Sequence, residues 1–513
     1  MGSEPVLEQR LDRLLNNEKE DNIMEKKKNF WESGFTRSNI KSDKVTLPEM
    51  LFGYFIGPIG AMLSSGIFTS ILQNYFTDVL KLDLTFLTTL QLLSTILIIA
   101  ANLIVGQLIE RTRCLAGKAR PWILLSALTL SVATVLMFIV PFEGTAKYVW
   151  IAIAYNLYYA VAYPIYNTAN ATLVPVSTRD SEKRGALASV ANVAGLAVMG
   201  AGSMVFPILV SFALKEDQNL WFLTMLAIAI FAALAIYLQY RFTRERVTEE
   251  LMNQTGDDGE KGKNISIKTQ LKAVVSEKMW WIIILFYIGF QWSGAMKNGS
   301  MSYFCKWVLD NTFFGTADAW GASQSILSIM GAVPMAVAAV FVVPLCNKFG
   351  KRIVCMIGMI VGCAGGVIAL AGNGQIIPVA VGVALKCLGS SPACYMILAM
   401  LADVIDHIEY KSHIRTDGLT MSIYSSIMVA GTPICNSIFS ALLNAFGYNQ
   451  AADVALGTAA QIAAVQNVIS VSYIGVETAA YLICAGLIFF FTVEKNLPRE
   501  QAEIAARQKK ESK

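Results

Sequence analysis

Three ionisable side chains stand inside stretches that otherwise carry no charge. Lys297 lies in FQWSGAMKNGSMSYF, Lys386 in VALKCLGSSPACYM and Glu477 in YIGVETAAY. Placing a charge in hydrocarbon costs about 2.5–3.5 kcal/mol or more, so such residues mark the paths of solutes and ions. Lys386 has roughly ten apolar or neutral residues on either side, too many for it to snorkel to an interface. Lys297 is read as buried, with snorkelling as the alternative. Lys306 is read as snorkelling. Glu477 falls in the outer third of the last apolar run, or in the loop before it if that helix starts late. Lys297 and Glu477 are expected to pair, which would lower the cost of burying both. Two lysines against one acid favour an anionic solute, because a lysine holds a carboxylate as a point charge. A lysine whose pKa falls on burial could also carry a proton.

A second constellation is neutral. In YNLYYAVAYPIYNTANA, Tyr159, Tyr163 and Asn167 recur at i+4 and Asn170 follows at i+3, so a helix puts them on one face. Aromatic rings stack on sugar faces, and sugar hydroxyls need amide or hydroxyl partners. The same residues would also serve helix–helix hydrogen bonding. Gln291, Trp292 and Asn298 are further candidates near Lys297, and Asn102 and Asn192 weaker ones.

The third constellation is charged and lies between apolar runs. LIIAANLIVGQLIERTRCLAGKARPW ends in a basic clamp of Arg111, Arg113, Lys118 and Arg120, with Glu110 beside it. MLADVIDHIEYKSHIRTDG carries Asp403, Asp406 and Glu409 with His407 and His413. Opposite charges on two parts of the chain suit a gate, the residues being Glu110, Arg111, Lys118 and Arg120 on one side and Asp403, Asp406 and Glu409 on the other. The alternative for the clamp is a plain cytosolic anchor. The histidine spacing matches no metal motif, and the nine cysteines are scattered singly, so no metal or other cofactor is expected.

The elements that position these residues follow from composition. Of 513 residues, 55% are hydrophobic and 15% charged. Uncharged runs near 20 residues recur, each long enough to cross about 30 Å of hydrocarbon as a helix. Twelve spans are expected, with the tenth over 376–402 and the twelfth over 470–493. The fold class is therefore an all-α multi-pass membrane protein of twelve transmembrane helices in two pseudo-symmetric halves. The divisions are a polar tail over 1–46, six helices over 47–240, a central loop over 241–278, six helices over 279–493 and a tail over 494–513. Connections on one side hold twenty Lys and Arg, and those on the other only Lys81, Lys147, Lys215 and Lys306. The positive-inside rule then puts both termini in the cytosol of a cell-membrane protein. The two halves echo each other: GQLIERTRCLAGKAR follows the second span and CNKFGKR follows the eighth. Six plus six helices with basic turns in matching places suggest the major facilitator fold, in which two halves rock about a central site. A net charge of +4 spread over loops gives no nucleic-acid surface. No nucleophile–base pair, metal motif or phosphate loop supports an enzyme.

At GKARPW, at MLADVIDHIEYKSHIRTDG, at YFTDVLKL and at ATLVP the chain resembles the glycoside–pentoside–hexuronide:cation symporter family, which includes the melibiose permease. The matches run in order from about residue 50 to 493. The resemblance implies a sugar-like solute and a coupling cation. It also implies acids in the second and fourth helices, and here those positions are Ile98, Asn102 and Asn167. The acid of the first helix falls near Met62, the arginine of the fifth near Ala188 and the lysine of the eleventh near Val429. Tyr163 falls where the family places a tyrosine of the sugar site. Asn102 and Asn167 thus stand as a degenerate cation site without charge, and hard cations favour charged oxygens. The expectation is a monomeric secondary transporter of a glycoside-like solute, such as an acidic sugar or hexuronide. It would be proton-coupled or facilitative, with a co-transported proton or cation in place of a cofactor. The alternative is a carrier of a lipid or another amphipathic organic anion, for which membrane lipid is the partner.

Overall fold

The computed structural model describes residues 35–511, apart from Arg113, Arg179, 254–266, 317–318 and 414–415. Twelve long helical segments follow one another. The first half holds α1 (Glu49–Val79), α2 (Leu84–Arg111), α3 (Arg120–Phe138), α4 (145–177), α5 (181–214) and α6 (Gln218–Arg241). The second half holds α7 (Lys278–Trp307), α8 (Trp320–Phe349), α9 (Lys351–Ala371), α10 (Ile376–Ser412), α11 (Asp417–Ala445) and α12 (Ala463–Phe489). Ten of them are apolar enough to cross a membrane by composition. α4 falls below that mark, and α5 contributes the shorter apolar stretch Gly202–Leu214. α4 carries the Tyr–Asn stripe, and α5 opens on SEKRGALAS. The polar residues of α4 are mostly turned inward: Tyr158 and Tyr166 are buried, and Tyr163, Asn167 and Asn170 are half-buried.

Three differences from the expected boundaries matter. α10 continues to Ser412, so the acidic stretch from Asp403 to Glu409 is helix, not loop. α12 begins at Ala463, which sets Glu477 fourteen residues into a continuous helix and out of any loop. Residues 494–511 belong to a helix, Val493–Glu511, that docks on α10 through Glu500 and Gln501. Two short helices, Arg246–Asn253 and Ile267–Val275, lie in the central connection.

Of six wide π turns in the spans, three, at 49–56, 157–162 and 201–205, come just before a proline: Pro58, Pro164 and Pro207. Proline has no N–H, and its ring crowds the carbonyl four residues back. Widening the preceding turn relieves that clash without breaking the helix. Glycines allow a close helix contact between α9 and α10. A Cβ on Gly382 of α10 would stand 2.5 Å from the carbonyl oxygen of Gly365 in α9, so the two backbones touch.

The hydrogen bonds joining the halves lie at the end where odd-numbered helices finish and even-numbered ones begin. Gln73 donates to Ser440 at 2.6 Å, Ser302 to Asn74 at 2.9 Å, Ser437 to the Thr88 carbonyl at 2.7 Å and Gln450 to the Leu82 carbonyl at 2.8 Å. Ser328 of α8 reaches the Ser203 carbonyl of α5 at 2.9 Å. This far end is sealed. The opposite end carries the basic clamp.

Candidate functional site

The three charges read from the sequence meet at one point in the second half. Glu477 of α12 lies between Lys297 of α7, at 3.2 Å from Oε1, and Lys386 of α10, at 2.6 Å from Oε2. Tyr481, one turn further along α12, donates to Oε1 at 2.8 Å. Lys386 also lies 3.4 Å from the Ile474 carbonyl oxygen. The glycine contact explains the meeting, since Gly362 and Gly366 of α9 let Tyr481 and Thr478 approach as closely as Gly382 lets α10. The Lys386 and Glu477 side chains are 2% and 3% exposed, whereas Lys297 is 22% exposed. Lys386 was expected to face the solute. It is sealed behind Glu477, so Lys297 is the ammonium a solute would meet first. The cluster holds two cations and one anion.

The α4 stripe divides on inspection. Asn170 is tied up: Gln239 of α6 donates to its Oδ1 at 2.7 Å and accepts from Tyr166 at 3.0 Å. Tyr159 packs among aromatic rings, 4.6 Å from Tyr155 and 5.0 Å from Tyr158 between centroids. Tyr163 and Asn167 remain half-buried, and the Asn167 amide has no side-chain partner among the described residues. Of the α7 candidates, Trp292 spends its indole N–H on the Ile427 carbonyl at 3.1 Å and packs on Gly431, while Asn298 is half-buried. Asn102 turns its amide nitrogen to the Ile98 carbonyl of its own helix, at 2.8 Å. The acids within 47–240 all sit at helix ends or in connections, so none stands beside Asn102 or Asn167. The side chain of Asn192, like Arg113, lies outside the described residues. The described residues contain no group of side chains that could hold a metal ion.

At the far end, the sequence reading of Lys306 fails. It does not snorkel. It is buried and forms an ion pair across the halves with Asp78 of α1, at 2.6 Å. Trp307 and Trp320 lie 5.0 and 5.8 Å from its ammonium. Asp78 accepts from Thr77 at 2.9 Å and from Tyr448 at 3.1 Å, and Trp307 donates to Tyr448 at 3.0 Å. Thr77 in turn meets Tyr303 at 2.6 Å. Asp78 was visible in YFTDVLKL, six residues before α2, but nothing local signals its partner 228 positions away.

At the basic end the bonds described for Arg120, Asp403 and Asp406 stay within their own halves. Arg120 donates to the carbonyls of Ala116 and Tyr240 at 3.0 and 3.1 Å and lies over the Tyr240 ring. Lys118 is half-buried, and Glu110 and Arg111 are exposed. Asp403 accepts from Lys351 at 2.6 Å, Asp406 from Gln501 at 2.9 Å, and Glu409 is half-buried. Pairing across the halves would require this end to close, and here the halves are joined at the other end. The clamp also has a carboxylate that sequence reasoning missed. Glu245 accepts from the backbone N–H of Lys118, Ala119 and Arg120 at 2.7–2.8 Å and so caps α3. Glu494 does the same for α9 through Lys351 and Arg352, at 2.7 and 3.1 Å. Each carboxylate sits on a positive-φ glycine, Gly117 or Gly350, where a Cβ would collide with it. The signal was present as a repeat: FTRE over 242–245 and FTVE over 491–494.

Two six-helix halves, sealed at one end and carrying a buried charge cluster and polar residues within the spans, define a secondary transporter of the major facilitator type. The chain belongs to the MFS/sugar transport protein family, whose model matches residues 53–495. It is 27% identical over 476 residues to the isoprimeverose transporter of Lactiplantibacillus pentosus, covering 90% of this chain and 92% of that one. It is 21% identical to a glucuronide carrier protein homolog of Escherichia coli (strain K12), covering 78% of this chain and 84% of that one. The crystal structure of the nucleoside transporter NupG shares the fold, with a TM-score of 0.58 at 14% identity over 86% of this chain and 100% of that one. The relatives are transporters, and the resemblance to glycoside and hexuronide symporters read from the motifs holds.

Proposed function

We propose that this protein carries an acidic glycoside, such as a hexuronide, across the cell membrane by alternating access. The observation that carries the reading is the surplus positive charge of the Lys297–Glu477–Lys386 cluster, with its surplus ammonium on the half-buried member, Lys297. A solute carboxylate beside Lys297 would make the cluster neutral. Tyr163 and Asn167 of the other half supply an aromatic face and an amide for the sugar ring. An isoprimeverose transporter and a glucuronide carrier homolog among the relatives support a glycoside cargo. The half-buried tyrosine and amide of α4 favour that cargo over a lipid. Tyr159, Asn170, Trp292 and Asn298 act from behind this first contact, by packing or by fixing neighbouring helices. The Lys and Arg asymmetry supports an orientation with the clamp end and both termini in the cytosol. The protein works as a monomer. Coupling is to protons or absent, because cations are repelled by a positive cluster and find only neutral oxygens at Asn102 and Asn167.

Uptake of radiolabelled glucuronides and neutral glycosides into proteoliposomes tests this, under a sodium gradient, a pH gradient or neither. Accumulation of acidic solutes without sodium is expected. Uptake of neutral glycosides alone, or strict dependence on sodium, would overturn it.

A further inference from the structure

Glu477 poses a question that substrate binding alone does not answer. A carrier that recognises anions needs a lysine, but a buried carboxylate next to that lysine competes with the cargo. The two contacts of Glu477 are unequal. Lys386 is closed in, with a carboxylate oxygen at 2.6 Å and the Ile474 carbonyl at 3.4 Å, and is 2% exposed. Lys297 is 22% exposed and lies at 3.2 Å. The first pair is closed off on every side and the second is reachable from outside the cluster. When the site is empty, an ammonium without a counter-ion would be costly to carry through a low-dielectric path. The carboxylates of the first half sit at helix ends or in connections, where Asp78 is already paired with Lys306, so none stands midway along a span to hold a cation there instead.

We infer that Glu477 is the built-in counter-ion of the empty carrier. It holds Lys297 while the carrier returns unloaded and releases it to the carboxylate of an acidic solute when one binds. Glu477 is thus a positioning residue for Lys297, and an internal carboxylate takes the place of cargo in the return step. This rests on the acidic-solute reading above. Its consequence is kinetic: Glu477 matters for the empty return and much less for the loaded crossing.

The test compares net uptake of a radiolabelled glucuronide with its exchange in proteoliposomes preloaded with the same unlabelled solute. Net uptake requires the empty return, whereas exchange does not. In the Lys386→Met, Glu477→Gln double variant a charge pair is removed together, so Lys297 keeps its charge and loses its counter-ion. Net uptake is expected to fall at least tenfold more than exchange. Equal losses in the two assays would overturn the inference. The single variant Glu477→Asp keeps the charge and withdraws it by about one methylene. If the double variant does not fold, Glu477→Asp should show the same split in smaller measure, and equal losses there would overturn the inference too. Failure of the wild-type protein to take up acidic solutes in either assay would instead refute the acidic-solute reading itself.

Discussion

Asp78 and Lys306 lock the far end, and the substitution Asp78→Asn should unlock it. The carboxylate lies 2.6 Å from the ammonium, and both side chains are under 10% exposed. Removing one partner of a buried pair costs about 3–5 kcal/mol, because the other charge stays buried and unpaired. Asparagine keeps an oxygen for the Tyr448 and Thr77 hydroxyls, so those bonds survive. Once the far end opens, water reaches Lys306, so most of the penalty falls on the closed state. A bias of about 2–3 kcal/mol corresponds to a shift of roughly 30- to 150-fold toward the open state. The readout is alkylation of Ser302→Cys by a membrane-impermeant maleimide, in a background with the nine native cysteines replaced. Ser302 bonds Asn74 across the seam, one turn inside the ion pair, so only opening exposes it. The labelling rate should rise by that factor in Asp78→Asn and comparably in Lys306→Met. The double variant should return most of the way, because replacing a buried pair by neutral groups is often nearly neutral. Unchanged labelling in the single variants, or faster labelling in the double, would refute the lock.

Lys297→Gln should raise KM for acidic glycosides at least tenfold and leave neutral glycosides nearly unaffected, as measured by competition uptake. Tyr163→Phe and Asn167→Ala should each raise KM about fivefold with little change in kcat, the size of one hydrogen bond near 1 kcal/mol. Glu245→Gln and Glu494→Gln should each cost about 1–2 kcal/mol by weakening matching helix caps, read as equal losses in thermal stability of the detergent-solubilised protein. At the start of α2, the backbone N–H groups of Phe86 and Thr85 hold the Asp83 carboxyl below the usual carboxylate range. Its contribution is therefore complete above that range and lost as pH falls through the lowered value. Amide exchange at Thr85 and Phe86 should speed up, relative to intrinsic rates, on acidification in the wild-type protein and stay flat in Asp83→Asn.

What the sequence made legible was whatever a single helix carries. Apolar length located the spans, and isolated charges within them located Lys297, Lys386 and Glu477, because hydrocarbon makes a lone charge conspicuous. The pairing of Lys297 with Glu477 followed from the same cost. Where a charge lay near a helix end the logic lost its force. Lys306 at the end of α7 satisfies a snorkelling pattern as well as an ion-pair pattern, and only the partner 228 residues away decides. The α4 stripe was legible as a face, but its division into tied and untied members was not. Gln239, which occupies Asn170, comes from α6 and has no periodic relation to it. The caps are a different case. FTRE and FTVE recur at the same place in each half, just after the sixth and twelfth helices, and each reaches back to the turn before the third helix of its half. A six-helix unit must return its last connection to that turn for the bond to form, so the repeat encodes a tertiary contact in a local motif. The two halves therefore keep matching clamp-end turns while their interiors diverge. The first holds neutral tyrosines and asparagines, and the second holds the charges. Recognition of a solute with both a sugar ring and a carboxylate suits that division, because each half then binds one part of it and only the complete solute engages both.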